Sequence, residues 1–121
     1  MKIFLDDERM PKNGGWLSYE RVIELKNQQD WLVVRNYGEF VNVVVAYFHD
    51  IETMSLDHDL GDSLNGYECA KWLVDYIMDN GQPNNLKTVS VHSQNPVGKK
   101  NIINYFQTAF YAKVVNFTVI E

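Results

Sequence analysis

The chain alternates short apolar bursts with longer stretches of helical spacing, and most of the bursts run straight into polar residues. Lys2-Ile3-Phe4-Leu5 leads directly into Asp6-Asp7-Glu8-Arg9, which predicts a buried strand with an acidic tip. Met10-Pro11 and the breaker-rich Lys12-Asn13-Gly14-Gly15 follow. Trp16 to Gln29 fits neither period, because Leu17, Val22, Ile23 and Leu25 line up on no single face. It is read as irregular, with a helical turn or a hairpin inside it. Trp31 to Arg35 is strand-like by its β-branched content. Gly38 to Phe48 places Phe40, Val41, Val44, Val45 and Phe48 at helical spacing, so a helix is expected there, with packing overriding the weak helix preference of valine.

Thr53 to Leu56 predicts the next strand, and it delivers Asp57-His58-Asp59-Leu60-Gly61. From Asn65-Gly66 an amphipathic helix extends to about Asn80, with Cys69, Ala70, Leu73, Val74 and Ile77 inward and Lys71, Asp75 and Asp79 outward. Cys69 is thereby a core residue. Gly81-Gln82-Pro83-Asn84-Asn85 stops that helix. Leu86 to Val91 reads as a strand ending in His92-Ser93-Gln94-Asn95-Pro96. Asn95 suits an N-cap and Pro96 the first helical position, so a helix runs to about Tyr111 with Ile102, Ile103, Phe106 and Phe110 inward. Val114 to Ile120 is expected to be the last strand. Strands separated by helices imply a parallel α/β sheet with helices on both faces. Ligands gather at the carboxyl ends of such strands. The acids after the first strand, the Asp57 segment and the His92 segment all arrive at that rim.

Composition narrows the possibilities. A length of 121 residues with 45% hydrophobic content fits one domain, residues 1–121, with its own core. Phe40 to Phe48, the longest apolar run, is far too short to span a bilayer. Acids at Asp6 and Asp7 interrupt any leader-like start, and a lone cysteine forms no internal disulfide, so a cytoplasmic location is expected. A net charge of -5 excludes broad binding to duplex nucleic acid but allows a small anionic ligand. Lys99 and Lys100 sit in the first turns of the last helix, where the macrodipole disfavours cations. An anion cradled by the helix amides, Ser93, Lys99 and Lys100 relieves that mismatch. A calcium loop starting at Asp57 fails, because its sixth position must be glycine and is Asp62. His49, at the expected end of a helix, reads as a cap or dipole partner.

The acidic pair Asp6-Asp7 after the first strand and Asp57 after the third resemble a response-regulator receiver domain. The resemblance implies a flavodoxin-like fold, a doubly wound parallel five-stranded sheet of order 2-1-3-4-5, and a divalent ion such as magnesium held by Asp6, Asp7 and Asp57. The chain departs from ordinary receivers in two ways. His92 stands where a small hydroxyl residue is expected, and no lysine follows the final strand. Leu5 to Arg9 with Pro11, Ser55 to Gly61, and Val91 to Gly98 are more closely similar to the cyclic-phosphate-processing receiver domains. That likeness implies a phosphoesterase acting on cyclic phosphate groups of nucleotides or RNA ends, with a small cyclic nucleotide or a cyclic-phosphate RNA end as partner.

Within that reading His58 and His92 share the work, one as general base on water and the other protonating the leaving alkoxide. Asp57 or Asp59 orients an imidazole. Arg9, Arg35, Lys99 or Lys100 neutralise developing charge, with Ser93 and Asn95 beside the ligand. Alternatively, magnesium on Asp6, Asp7 and Asp57 activates the water and the histidines support it. A reading from a different class is a non-catalytic receiver-like module that binds a nucleotide or signals through a partner.

Overall fold

A computed structural model describes residues 1–8, 11–12, 15–16, 31–61 and 63–120, without the side chains of 11, 12, 15 and 16. Its elements are β1 (Lys2–Leu5), β2 (Pro11–Lys12), β3 (Gly15–Trp16), β4 (Trp31–Val34), α1 (Tyr37–Tyr47), β5 (Thr53–Leu56), α2 (Gly66–Asn80), β6 (Thr88–Val91), α3 (Pro96–Tyr111) and β7 (Thr118–Ile120). Five strands form one sheet in the order β4-β1-β5-β6-β7, with every neighbouring pair parallel. Numbering only those five gives 2-1-3-4-5, the receiver or flavodoxin-like order. β2 and β3 make a separate antiparallel pair.

The three described helices start where the sequence puts a cap. Asn36, Asn65 and Asn95 accept hydrogen bonds from the amides of Glu39, Glu68 and Gly98, each satisfying a donor the first turn leaves open. α2 ends at Gly81, whose φ of 87° is open to glycine and strained for other residues. In α1 burial holds Phe40 and Val44 in the core, while Val41 and Val43 are half-buried and Val45 is exposed.

Register decides which residues meet those helices. Ile3, Met54 and Val89 share one row, and Leu5, Val34, Leu56 and Val91 share the next one facing the same way. All seven are buried in one cluster with Phe40, Leu73, Ile77, Ile102 and Phe106. The alternate residues Phe4, Ser55 and Ser90 point to the opposite face.

Several details differ from the expectation, beyond shifts of a single residue at the ends of β4 and α1. β6 begins at Thr88, and Leu86 is buried in the core ahead of it. Phe110 is exposed, and Ala109 takes the inward position on α3. The largest difference is the last strand, which holds only Thr118–Ile120. Lys113 turns the chain at a φ of 63°, after which Val115 and Phe117 plug the core, Phe117 meeting Phe106 edge to face. Their alternation imitates a strand, although they serve as core plugs in the approach to one. The segment 17–30 lies outside the described residues.

Cys69 is buried as expected, and burial pushes its thiol up from the ordinary 9.0 to about 12. The unfolded chain therefore loses this proton first as pH rises, so part of the stability should disappear between those values. In native protein at pH 8 the thiol should be silent toward a disulfide reagent. One equivalent should react on unfolding, and fast labelling of folded protein would contradict this placement.

Candidate functional site

Four strands end on one row. Arg35, Asp6, Asp57 and His92 each follow the last paired residue of β4, β1, β5 and β6. The amides of Asp6, Asp57 and His92 extend the ladder by one rung, donating to the carbonyls of Val34, Leu5 and Leu56 at 3.0, 2.9 and 3.0 Å. The two-residue period then puts these side chains on the face of Phe4 and Ser55, away from the helix-covered core.

Asp6 and Asp57 are buried there, at 0% and 3% exposure. Ligating atoms of Asp6, Asp57 and His92 all lie within 4.8 Å of one another. The His92 ring leans back across β5 and stacks on Phe4, with ring centroids 4.4 Å apart and planes 2° from parallel. Ser55 lies between them in register and is small enough to leave the space. Its Oγ sits 2.6 Å from His92 Nδ1, while His92 Nε2 sits 3.1 Å from Asp6 Oδ2. Asp6 Oδ1 accepts from the Glu8 amide. Both nitrogens of His92 are thus engaged.

His58 belongs to a second group on the same rim. Its amide donates to Asp57 Oδ1 at 2.8 Å, and its carbonyl accepts from the Gly66 amide at 2.7 Å. Its Nδ1 lies 2.7 Å from Asp59 Oδ1. Asn95 donates to both oxygens of Asp59, so one residue caps α3 and also orients this carboxylate. The hydrogen bond from His58 holds the Asp59 carboxyl below its ordinary value, and the Asn95 amide adds to this. Nε2 of His58 has no hydrogen-bond partner among the described residues.

Glycines make both groups possible. A Cβ at position 66 would lie 1.8 Å from the Asp57 carbonyl oxygen. A Cβ at position 98 would lie 2.3 Å from Cγ of His58. Only bare backbone lets α2 and α3 begin so close to this loop.

Beside these groups is an open cleft of about 380 Å³, lined among the described residues by Asp7, Glu8, Asp57, Asp59, Gly61, Ser93 and Gln94. Asp7 faces Gly61, with its Oδ2 3.1 Å from where a Cβ on that glycine would stand. Among the described residues the close acid and imidazole set is therefore Asp6, Asp57 and His92, with Asp7 on the cleft wall. Ser93 Oγ accepts from the Asn95 amide. Lys99 is half-buried and Lys100 exposed on α3, outside the cleft lining. The Arg35 guanidinium donates to the Asp6 carbonyl at 3.0 Å, bracing the loop. Arg9 and Asp62 fall outside the described residues. His49 accepts from the Asn84 amide, far along the chain from the rim, which ties the end of α1 to a loop.

Residues 1–108 match the model of the cyclic-phosphate processing receiver domain family. The chain belongs to that family. No curated protein and no solved structure gives a significant match. Within this receiver framework, Ser55, Phe4, Gly66 and Gly98 are site residues that the motif reading left unassigned. Their signal was parity, because Phe4 and Ser55 precede Asp6 and Asp57 by two.

Gly98→Ala should push the His58 ring out of place at a stability cost of about 1–3 kcal/mol. The ring resonances of His58 should shift while those of His92 stay, and an unmoved His58 would contradict the packing. The lowered Asp59 carboxyl contributes stability that is present above its unfolded value and lost as pH falls through the folded one. Asp59→Asn should therefore reduce stability at neutral pH and converge with wild type in strong acid, as followed by thermal melts across pH.

Proposed function

We propose that the chain is a phosphoesterase that opens a cyclic phosphodiester, with His58 as the acid-base residue. The observation that supports this is the Asp59–His58 pair. Asp59 holds Nδ1 at 2.7 Å, which orients the ring and leaves Nε2 without a partner among the described residues, and Asp59 itself lines the cleft with Ser93 and Gln94. Nε2 takes the proton of an attacking water as its oxygen bonds to phosphorus. The bond from phosphorus to the leaving alkoxide breaks, and His58 returns the proton to that oxygen. A single imidazole thus closes the proton balance. This differs from the two-histidine division of labour, since His92 has both nitrogens in use.

Charge favours the version of this reaction that uses a cation. Asp7, Glu8, Asp57 and Asp59 all line the cleft, and an anionic phosphate approaching them is repelled. The buried carboxylates of Asp6 and Asp57 and the imidazole of His92 are a donor set that fits a divalent ion. Magnesium or a similar ion bound there would supply charge neutralisation and Lewis acidity.

The second reading is a module that binds a cyclic nucleotide without cleaving it. It draws on the open, acid-lined cleft, which can hold a ligand whether or not His58 turns it over. Incubation with a small phosphodonor separates it from phosphoacceptor signalling, for which stable acylphosphate on Asp57 is the expected mark.

A screen of 2',3'-cyclic and 3',5'-cyclic mononucleotides, cyclic dinucleotides and cyclic-phosphate RNA ends, with and without magnesium, tests the esterase. His58→Ala should lower turnover by about 10²- to 10⁴-fold, the usual loss of a general acid-base group. Full turnover in His58→Ala would overturn the histidine chemistry, and ligand binding without product would favour the module.

A further inference from the structure

We propose that Ser55 is the positioning residue of His92, and that its hydroxyl lets this imidazole serve as a ligand to a transition-metal ion on Asp6 and Asp57. The inference rests on the cation version of the proposed reaction, adds a positioning residue to its ligand set and changes its metal class. It starts from one geometrical fact, the line Ser55 Oγ, His92 Nδ1, His92 Nε2, Asp6 Oδ2, with spacings of 2.6 and 3.1 Å at its two ends.

A neutral imidazole carries one proton. An ionised Asp6 accepts only, so Nε2 carries that proton and Nδ1 accepts from the Ser55 hydroxyl. A metal ion needs the lone pair of Nε2 instead. The proton then sits on Nδ1, and Ser55 Oγ, which is donor and acceptor alike, turns about its C–O bond and accepts it. The imidazole keeps one proton throughout, so the exchange releases none. Alanine at this position offers nothing to an Nδ1–H buried against Phe4 and the strand.

Several features make this arrangement more than a core contact. Ser55 is only 8% exposed and His92 13%, so water does not readily replace the hydroxyl. Phe4 fixes the ring plane by stacking, which leaves the tautomer as the remaining freedom. Asp7, the third acid of the motif, sets its Oδ2 against Gly61 on the cleft wall, whereas His92 comes within 4.8 Å of both buried carboxylates. One imidazole with two carboxylates suits manganese, iron or zinc better than magnesium, which prefers oxygen alone.

Nitrogen-15 spectra of the imidazoles and calorimetry test the proposal. In metal-free wild type, His92 should show the proton on Nε2, and saturation with Zn²⁺, which is diamagnetic, should move it to Nδ1. Mn²⁺ should bind more tightly than Mg²⁺, and Ser55→Ala should weaken Mn²⁺ by about ten- to a hundredfold, the usual effect of removing a partner of a ligating histidine. Ser55→Thr keeps the hydroxyl and should restore affinity. If its extra methyl prevents folding, the wild-type spectra and Ser55→Ala still decide. A metal-free spectrum with the proton on Nδ1, or wild-type Mn²⁺ affinity in Ser55→Ala, overturns the positioning role and leaves the esterase reading standing. Absence of any divalent uptake by wild type overturns both this proposal and the cation version of the reaction, while His58 chemistry is judged separately by the substrate screen.

Discussion

Parallel register is the constraint on which the site depends. β4, β1, β5 and β6 stop level with one another, and the ladder continues one rung past each of the three boundaries between them. That rung carries Arg35, Asp6, Asp57 and His92. A slip of one residue in any strand would turn its member of the row into the helix-covered core. The dense apolar cluster of Ile3, Leu5, Met54, Leu56, Val89 and Val91 forbids such a slip, because it would bury acids among hydrocarbons. Packing on one face of the sheet therefore holds the chemistry of the other in place.

The row is also where the fold accepts an electrostatic cost. Two buried carboxylates side by side each carry a desolvation penalty on the order of several kcal/mol. Local hydrogen bonds offset it. Asp6 accepts from the Glu8 amide and faces the His92 ring, and Asp57 accepts from the His58 amide. Backbone donors are well suited to this work, since they are fixed by the chain and need no extra ordering. The arrangement fixes both carboxylates in place at the end of the sheet.

Much of this could be read in the sequence, for reasons that differ by element. Asn65 and Asn95 announce helix starts because a capping side chain is a local requirement, and both helices begin where those residues stand. The sheet order follows from alternation of strands and helices together with the handedness of crossovers. The last strand misleads because Val115 and Phe117 are buried for reasons of core shape, and only long-range packing distinguishes that from strand alternation. In the site, clustering at the rim was visible from topology, but the division into two groups was not. His58 pairs with its sequence neighbour Asp59, whereas His92 reaches across β5 to Asp6. No spacing rule encodes the second contact, which depends on a serine small enough to let a ring lie over it.

The contact between Gly98 and the His58 ring ties together two positions forty residues apart in the chain. A side chain at 98 and an imidazole at 58 cannot share that space without rearrangement. In a family alignment this exclusion would appear as coupled change: chains that gain a side chain at the position of Gly98 would have lost the ring at the position of His58. The helix start thus acts as a structural record of whether an imidazole occupies that space. Members that have retired the histidine should show that history first in a glycine that selection no longer needs to keep.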